Sequence, residues 1–295
     1  MKTYMNTAVS ALALALVAGS AYATPVTEPV QPAPTSLNST VTQAGSNQTA
    51  TVVQSATTGS STVNQSGAKN IAQVTQQAGS EGATSVVFQS GSLPTGRTTE
   101  AQNNLATVIQ AANATSYVNQ RGSGGTVTID QRAVSANATS IVVQDVTFGL
   151  DRSTIVVTQI GAGAVSNIGS KGTNESSAAD DVVGQSGSDN SIVLNQLNGE
   201  ASSTITQSGT YNGITVNQVG FSAESTITQG GDRNVVLLTQ SGNDNYSYIS
   251  QSGNNGKVDV YQTANNAWSS VTQLGGTGNQ AFVTQGNNAP SAPRS

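Results

Sequence analysis

The chain has 295 residues, of which only 8% are charged and 4% aromatic, and it contains neither cysteine nor histidine. So few large apolar side chains argue against an ordinary globular core, and the missing imidazole and thiolate remove the usual catalytic bases and the nitrogen or sulfur ligands of metals. A net charge of −5 argues against the positively charged surface that a nucleic-acid-binding protein needs. Val, Ile and Thr are abundant, unlike in disordered chains, so β structure is expected.

The N-terminus has the pattern of an export signal. Lys2 is followed by a short apolar run at residues 8–18 and then by small residues ending at Ala23. This arrangement predicts a signal peptide over residues 1–23 that is removed in the mature protein. The sequence therefore predicts a secreted, extracellular or cell-surface protein.

A proline-rich segment follows at residues 24–38. Four prolines, Pro25, Pro29, Pro32 and Pro34, favour an extended and unpaired chain, so the segment is predicted to be disordered. It is either a recognition tag for an export machine or a plain spacer, and the residues alone do not separate the two.

From residue 39 to residue 285 a glutamine returns about every eleven residues. A fixed period of this size is typical of a repeat architecture. Each glutamine has Val, Ile or Leu two positions before it, and many have Gly two positions after it. The glutamines are Gln43, Gln54, Gln65, Gln76, Gln89, Gln110, Gln120, Gln131, Gln144, Gln159, Gln185, Gln196, Gln207, Gln218, Gln229, Gln240, Gln251, Gln262, Gln273 and Gln285.

Each unit has the alternation of a β-strand. In residues 212–218 the side chains at even distances from Gln218 include Ile214 and Val216, whereas Thr215 and Asn217 lie at odd distances. Since successive side chains of a strand point to opposite faces, the even set is predicted to be buried. All the aromatic residues of the predicted strands fall in the odd, outward set: Phe88, Tyr117, Tyr246, Tyr248, Tyr261, Trp268 and Phe282.

The position four before each glutamine shows that two units form one coil. Serine alternates there with Ala, Val or Ile along the chain, interrupted only by Asp181. We therefore expect an all-β, cross-β solenoid with two strands per coil and about ten coils of roughly 22 residues, in which an aliphatic side chain fills the space left by the facing serine. Asp181 would mark the weakest coil, and Asp181→Ser would stabilise it.

Stacked coils would place each amide side chain above its copy. We expect the twenty glutamines, with Asn70, Asn190, Asn212 and Asn234, to form ladders of hydrogen bonds along the stack. The glycines after glutamine would take positive φ where the chain reverses. Residues 90–103 and 160–178 break the spacing and are interpreted as inserted loops, and residues 286–295 as a disordered tail.

The units resemble the curlin repeat of curli-type functional amyloid subunits. Residues 59–76 match its pattern at Gln65, Gly67, Asn70, Ala72 and Gln76, and the resemblance extends over about residues 39–285. It implies a secreted subunit, major or minor, that polymerises into amyloid fibres of the biofilm matrix and mediates adhesion. It also implies a nucleator subunit and outer-membrane export machinery as partners.

The two ends of the solenoid are predicted polymerisation edges. Soluble β proteins protect edge strands with charge, proline or a cap, and neither the first nor the last repeat strand has a charge or a proline. The chain would therefore bind itself head-to-tail, without nucleic acid or cofactor. The edge residues are Ser39, Val41, Gln43, Ala281, Val283 and Gln285.

Three alternatives use the same solenoid. An ice-binding protein needs an unbroken outward rank of threonines, and Phe88, Val143 and Tyr248 interrupt it. A monomeric adhesin with a solenoid stalk would need an anchor, and no anchor motif is recognised. A polysaccharide lyase would need clustered acid and base groups, whereas the carboxylates are scattered, so no enzymatic activity is expected.

Overall fold

The computed structural model of the chain describes residues 36–90, 103–132, 137–146, 153–170 and 182–286. Within these ranges every regular element is a β-strand. The strands are β1 (Leu37–Ser46), β2 (Thr49–Gln54), β3 (Gly59–Ala68), β4 (Ile71–Gln76), β5 (Ala83–Ser90), β6 (Leu105–Gln110), β7 (Thr115–Gly122), β8 (Thr126–Gln131), β9 (Thr139–Val146), β10 (Thr154–Gln159), β11 (Val165–Ser170), β12 (Val182–Val183), β13 (Gln185–Ser186), β14 (Ser191–Gln196), β15 (Ser202–Gln207), β16 (Gly213–Gln218), β17 (Glu224–Gln229), β18 (Val235–Gln240), β19 (Tyr246–Gln251), β20 (Lys257–Gln262), β21 (Trp268–Gln273) and β22 (Gln280–Gln285).

Two long sheets share these strands. Sheet I is the twelve-stranded sheet that runs from β1 to β21, and sheet II is the ten-stranded sheet that runs from β2 to β22. Successive strands alternate between the sheets for most of the chain, and nearly all neighbours within a sheet are parallel. The predicted β-solenoid of about ten coils, about 22 residues apart, is confirmed.

The register places each repeat residue on its counterpart. In sheet I, Ile205 pairs with Ile227 and Gln207 with Gln229, and in sheet II, Val216 pairs with Leu238. Because the residues at even distances from glutamine all point inward, one aliphatic cluster runs along the rod between the sheets. At about 4.8 Å per coil, ten coils give a rod roughly 50 Å long.

The inward position four before glutamine differs between the two sheets. Sheet I carries serine there, and sheet II carries alanine near both ends and isoleucine or valine in the middle. Most of the buried serines hydrogen-bond in pairs along the stack, for example Ser203 with Ser225 at 2.7 Å and Ser247 with Ser269 at 2.9 Å. Small polar residues on one sheet therefore oppose aliphatic residues on the other, as the alternation predicts.

One coil of sheet I is assembled from two separate stretches. Ser166 and Ile168 of β11 align with Ser140 and Val142 of β9, and Gln185 of β13 then occupies the glutamine position beside Gln144. The prediction that residues 160–178 form only an inserted loop is wrong at β11. Ile168 is the core aliphatic residue of this coil, because parallel pairing aligns it with Val142 on one side and with Ile205 on the other.

The structure also changes the roles that the sequence predicted for Val183 and Asp181 in this coil. Val183, expected to be the core aliphatic residue before Gln185, pairs antiparallel with Gly169 instead. The serine position is filled by Ser166, so the alternation has no interruption. Asp181, and with it the predicted stabilising substitution, lies outside the described residues, as do residues 1–35, 91–102, 171–180 and 287–295.

Some side chains of the outward set are nevertheless buried. Tyr117, Asn119 and Arg121 of β7 are buried, and the Phe88 ring lies 5.8 Å from that of Tyr117. Near the other end, Asp259 is buried and pairs with Lys257 at 2.7 Å. The remaining strand aromatics are at least partly exposed.

The turn glycines serve two different purposes. After sheet I strands, Gly209, Gly231 and Gly253 take positive φ as predicted. After sheet II strands, Gly220 and Gly242 do not, so the prediction is wrong there, and it is the close approach of the next coil that requires glycine.

The first strand begins earlier than the predicted residue 39, since β1 begins at Leu37.

Helices capable of crossing a membrane are absent from the described ranges.

Replacing Gly231 with alanine is expected to destabilise the rod by about 2–4 kcal/mol, because φ is +86° and a Cβ would overlap the carbonyl oxygen of Gly253. Gly213→Ala is the matched control, since a Cβ there meets nothing within 4 Å. The measurement is urea unfolding of the soluble chain followed by circular dichroism. Equal midpoints for the two variants would contradict the stacking geometry.

Ile168→Ala tests the corrected register. Ile168 is fully buried, so truncation should cost about 2–5 kcal/mol through lost burial and a cavity. The control is Leu274→Ala, whose side chain is 74% exposed and should change stability by less than about 0.5 kcal/mol. Thermal denaturation of the two variants would be compared, and an Ile168 variant as stable as the control would show that residues 165–168 are not a core strand.

Candidate functional site

The glutamines form two continuous columns, one in each sheet. In every column the Nε2 of one glutamine donates to the Oε1 of the glutamine one coil later, at 2.7–3.1 Å. The sheet I column is Gln43, Gln65, Gln89, Gln120, Gln144, Gln185, Gln207, Gln229, Gln251 and Gln273. The sheet II column is Gln54, Gln76, Gln110, Gln131, Gln159, Gln196, Gln218, Gln240, Gln262 and Gln285.

Most of the glutamines also join the two sheets. Their Nε2 donates a second hydrogen bond to a backbone carbonyl of the facing sheet, as Gln218 does to Ser202 at 2.9 Å and Gln240 to Glu224 at 2.9 Å. Both amide hydrogens and the carbonyl oxygen of such an interior glutamine are therefore used. Because unpaired buried amides are costly, this arrangement requires a glutamine at the same place in the coils above and below.

The asparagines stack in a different way from the one predicted. The Oδ1 of Asn190 accepts from the backbone N–H of Asn212 at 3.0 Å, and that of Asn212 accepts from the backbone N–H of Asn234 at 2.9 Å. Asn70 likewise accepts from the backbone N–H of Asn104 at 3.2 Å. The shorter side chain sits in the turn and reaches the backbone, so these asparagines link the coils without an amide-to-amide ladder.

The columns give the rod a direction. At the first coil, no donor within the described residues reaches the Oε1 of Gln43 or Gln54. At the last coil, Gln273 and Gln285 each donate once to a backbone carbonyl, and their second N–H has no described partner. The N-terminal end therefore presents amide acceptors, and the C-terminal end presents amide donors.

Both ends are also open along the backbone. In the described part of the chain, β1 and β2 pair only with β3 and β4, and β21 and β22 only with β19 and β20. The predicted edge residues Val41, Gln43, Ala281, Val283 and Gln285 are only half-buried, and Ser39 is exposed. Their counterparts inside the rod, such as Val63 and Val260, are fully buried. A further coil on either end would complete their burial.

Sequence reasoning missed the serine hydrogen bonds and one outward amide pair. Asn195 donates to Asn217 at 2.9 Å on the outer face of sheet II. The recurrence of asparagine one position before glutamine in successive sheet II units is the signal that could have indicated this pair. The threonine rank required for ice binding is interrupted in sheet I, where Thr226 pairs with Tyr248.

The described ranges contain no group of three or more His, Cys, Asp or Glu residues that could hold a metal ion. The carboxylates of Asp130 and Asp259 have basic neighbours, Arg132 at 2.9 Å and Lys257 at 2.7 Å.

The fold and its amide columns define a class of protein, the two-sheet β-solenoids held by stacked glutamines. Residues 231–263 match the family model described as the Curlin associated repeat, which supports membership of the curlin-repeat family. The match covers β18 and β20 of sheet II and β19 of sheet I, so it includes more than one full coil. No curated protein matches the chain.

Gln229→Leu should destabilise the rod by about 2–5 kcal/mol, because it leaves one buried N–H of Gln207 and the Oε1 of Gln251 without a partner. Thr228→Ala is the control, since the neighbouring threonine points outward and is exposed, and its loss should cost less than about 0.5 kcal/mol. Urea unfolding would compare the two. A leucine variant as stable as the parent would mean that the columns do not stabilise the fold.

Proposed function

We propose that the chain is a secreted structural subunit that assembles head-to-tail into extracellular curli-like amyloid fibres, which serve the biofilm matrix and cell adhesion. The proposal assigns it no enzymatic activity. The observation that carries it is the complementarity of the two open ends, one presenting amide acceptors and the other amide donors.

Addition of a second copy would continue every column of the rod. With β1 of one copy on β21 of the preceding copy, Gln273 would donate to Gln43, and Gln285 would donate to Gln54. Two N-terminal ends would bring acceptor against acceptor, and two C-terminal ends donor against donor. A contact between different surfaces that does not close produces a filament, so growth would be unlimited and polar.

The sizes of the inward side chains at the two ends of the rod support the same junction. The inward position of sheet II holds Ala50 in the first coil and Ala281 in the last, whereas the middle coils hold Ile155, Ile192 and Ile214. Stacking the ends would place Ala281 on Ala50 and Ser269 on Ser39. Side chains of equal size would then meet at the junction, which avoids the cost of a cavity or of overpacking.

The proposal includes the segments and partners expected from the sequence. Residues 1–23 would direct export and be removed, and residues 24–36 would precede the folded rod, which begins with β1 at Leu37. A nucleator subunit and an outer-membrane export machine would be the partners in assembly. The proposal covers both roles in such a fibre, that of the major subunit and that of the nucleator.

The first test is assembly of the purified chain from Thr24 at micromolar concentration. Thioflavin fluorescence should rise after a lag, and fibre diffraction should show reflections near 4.7–4.8 Å and about 10 Å. A chain that stays monomeric and non-fibrillar would overturn the proposal.

The polarity of growth is tested by blocking one end at a time. A lysine that points inward on an edge strand prevents strand addition, so Val41→Lys and Val283→Lys, each added to preformed parent seeds, should stop growth at one fibre end. Because every junction joins one N-terminal end to one C-terminal end, each single variant on its own should remain monomeric. Thr284→Lys, which places the same charge outward on β22, is the control and should still elongate. Equal elongation of Val283→Lys and Thr284→Lys, measured on preformed seeds, would contradict the head-to-tail contact.

A further inference from the structure

Exposed aromatic side chains are concentrated at the C-terminal end of the rod. On the outer face of sheet I, Tyr246 pairs with Trp268, and Tyr248 lies two residues further along β19. Trp268 is 62% exposed and Tyr248 38% exposed. We call these three side chains the aromatic face. Large exposed apolar groups in a contiguous set are typical of an interaction surface.

In a fibre, the N-terminal segment of the next copy would lie close to the aromatic face. Trp268 and Asn38 lie at the same distance before their glutamines, so stacking β1 of the next copy on β21 places Asn38 beside Trp268. The described chain begins at Ser36, two residues before Asn38. Residues 24–36 of the next copy would therefore enter the fibre within about one coil, roughly 5 Å, of the aromatic face.

We infer that the proline-rich segment 24–36 of one copy docks on Tyr246, Tyr248 and Trp268 of the preceding copy in the fibre. The inference rests on the head-to-tail assembly proposed above. It gives the segment a binding role at each junction in addition to any role in export.

Distance separates docking between copies from docking within one copy. The aromatic face lies about nine coils, roughly 43 Å, from β1 of its own chain. Thirteen residues in a polyproline II conformation span only about 40 Å. Even fully extended, they would barely reach the Trp268 of their own chain and would have no length left for contact. The segment of the next copy begins beside the face and has its whole length for contact.

The chemistry of the two surfaces is complementary. Segment 24–36 has Pro25, Pro29, Pro32 and Pro34, and Glu28 is its one charged residue. Proline-rich chains bind surfaces lined with aromatic rings, because the proline rings pack on the aromatic faces and the free carbonyls accept from tyrosine hydroxyl or indole N–H groups. A proline-rich chain loses little conformational entropy on docking, because its prolines already restrict the backbone.

Attachment to the fibre makes a weak contact sufficient. A short tether keeps the segment at an effective concentration in the millimolar range next to its site. The docked segment would cross the junction and hold each copy on its predecessor by a contact separate from the backbone and amide bonds. Since Glu28 is its one charged side chain, this contact should depend little on salt.

The test uses the fluorescence of Trp268, which is the only tryptophan of the chain. Fibres of the chain from Thr24 are compared with fibres of a variant of equal length in which the four prolines are replaced by serine. Acrylamide should quench Trp268 at least about two-fold less in the parent fibres, because the docked segment covers the indole. Equal quenching in the two fibres would overturn the inference.

Two aromatic substitutions supply a matched control. Tyr248→Ser removes part of the aromatic face and should raise the quenching of Trp268 in fibres. Tyr261→Ser removes a tyrosine that is also 38% exposed but lies on sheet II, and it should leave quenching unchanged. The same effect from both variants would overturn the inference, because it would show a general change in the fibre.

A peptide arm separates failure of docking from failure of assembly. A synthetic peptide of residues 24–36 is added at millimolar concentration to the soluble parent chain during the lag phase. A saturable change in Trp268 emission that the serine-substituted peptide does not cause supports docking even if fibres never form. No change with either peptide overturns docking, while fibre formation alone decides the proposed function.

Discussion

The structure depends on one constraint: a buried side-chain amide must have all its hydrogen-bonding groups satisfied. An interior glutamine such as Gln229 gives one N–H to the facing sheet and the other to the next glutamine, and its oxygen accepts from the previous one. The partner of each amide is thus another copy of the same residue at the same position. This requirement explains why a chain with so few aromatic and charged residues holds a defined register. It also explains why a finite rod always ends with amides that have lost a partner.

The core adds stability without adding specificity. The inward aliphatic residues of both sheets form one continuous cluster, but Val, Ile and Leu occupy it with little distinction between coils. Shifting a strand by one residue would turn its glutamine and its aliphatic residues outward together, so the two requirements select the same register. The turns contribute through backbone approach, since Gly209 and Gly220 are both required where the next coil passes closest. Hydrophobic burial, amide pairing and turn geometry therefore all favour one arrangement, as expected of a sequence with a single stable fold.

The sequence was sufficient to predict the fold class, the coil length, the inward face and the twenty glutamines of the columns, because each of these follows from a period of two or of eleven. It was misleading where the period is broken. Counting back from Gln185 along the chain assigns the core aliphatic position of that coil to Val183. In the structure, strand pairing gives this position to Ile168. The asparagines were assigned to the right turns with the wrong partners, since spacing does not show whether a short amide reaches a side chain or a backbone group. Burial of outward residues such as Tyr117 and Asp259 depends on neighbouring elements and is not encoded in strand alternation.

The common orientation of the glutamine side chains has an electrical consequence. Each amide carries a dipole, and in both columns the dipoles point the same way, so they add along the axis as peptide dipoles do in a helix. The oxygen end of the rod carries a partial negative charge, and the N–H end carries a partial positive charge. Each added copy would lengthen the aligned array, and neighbouring bonds would polarise and strengthen one another. A fibre built from this rod would be a macroscopic dipole whose two tips attract ions of opposite sign.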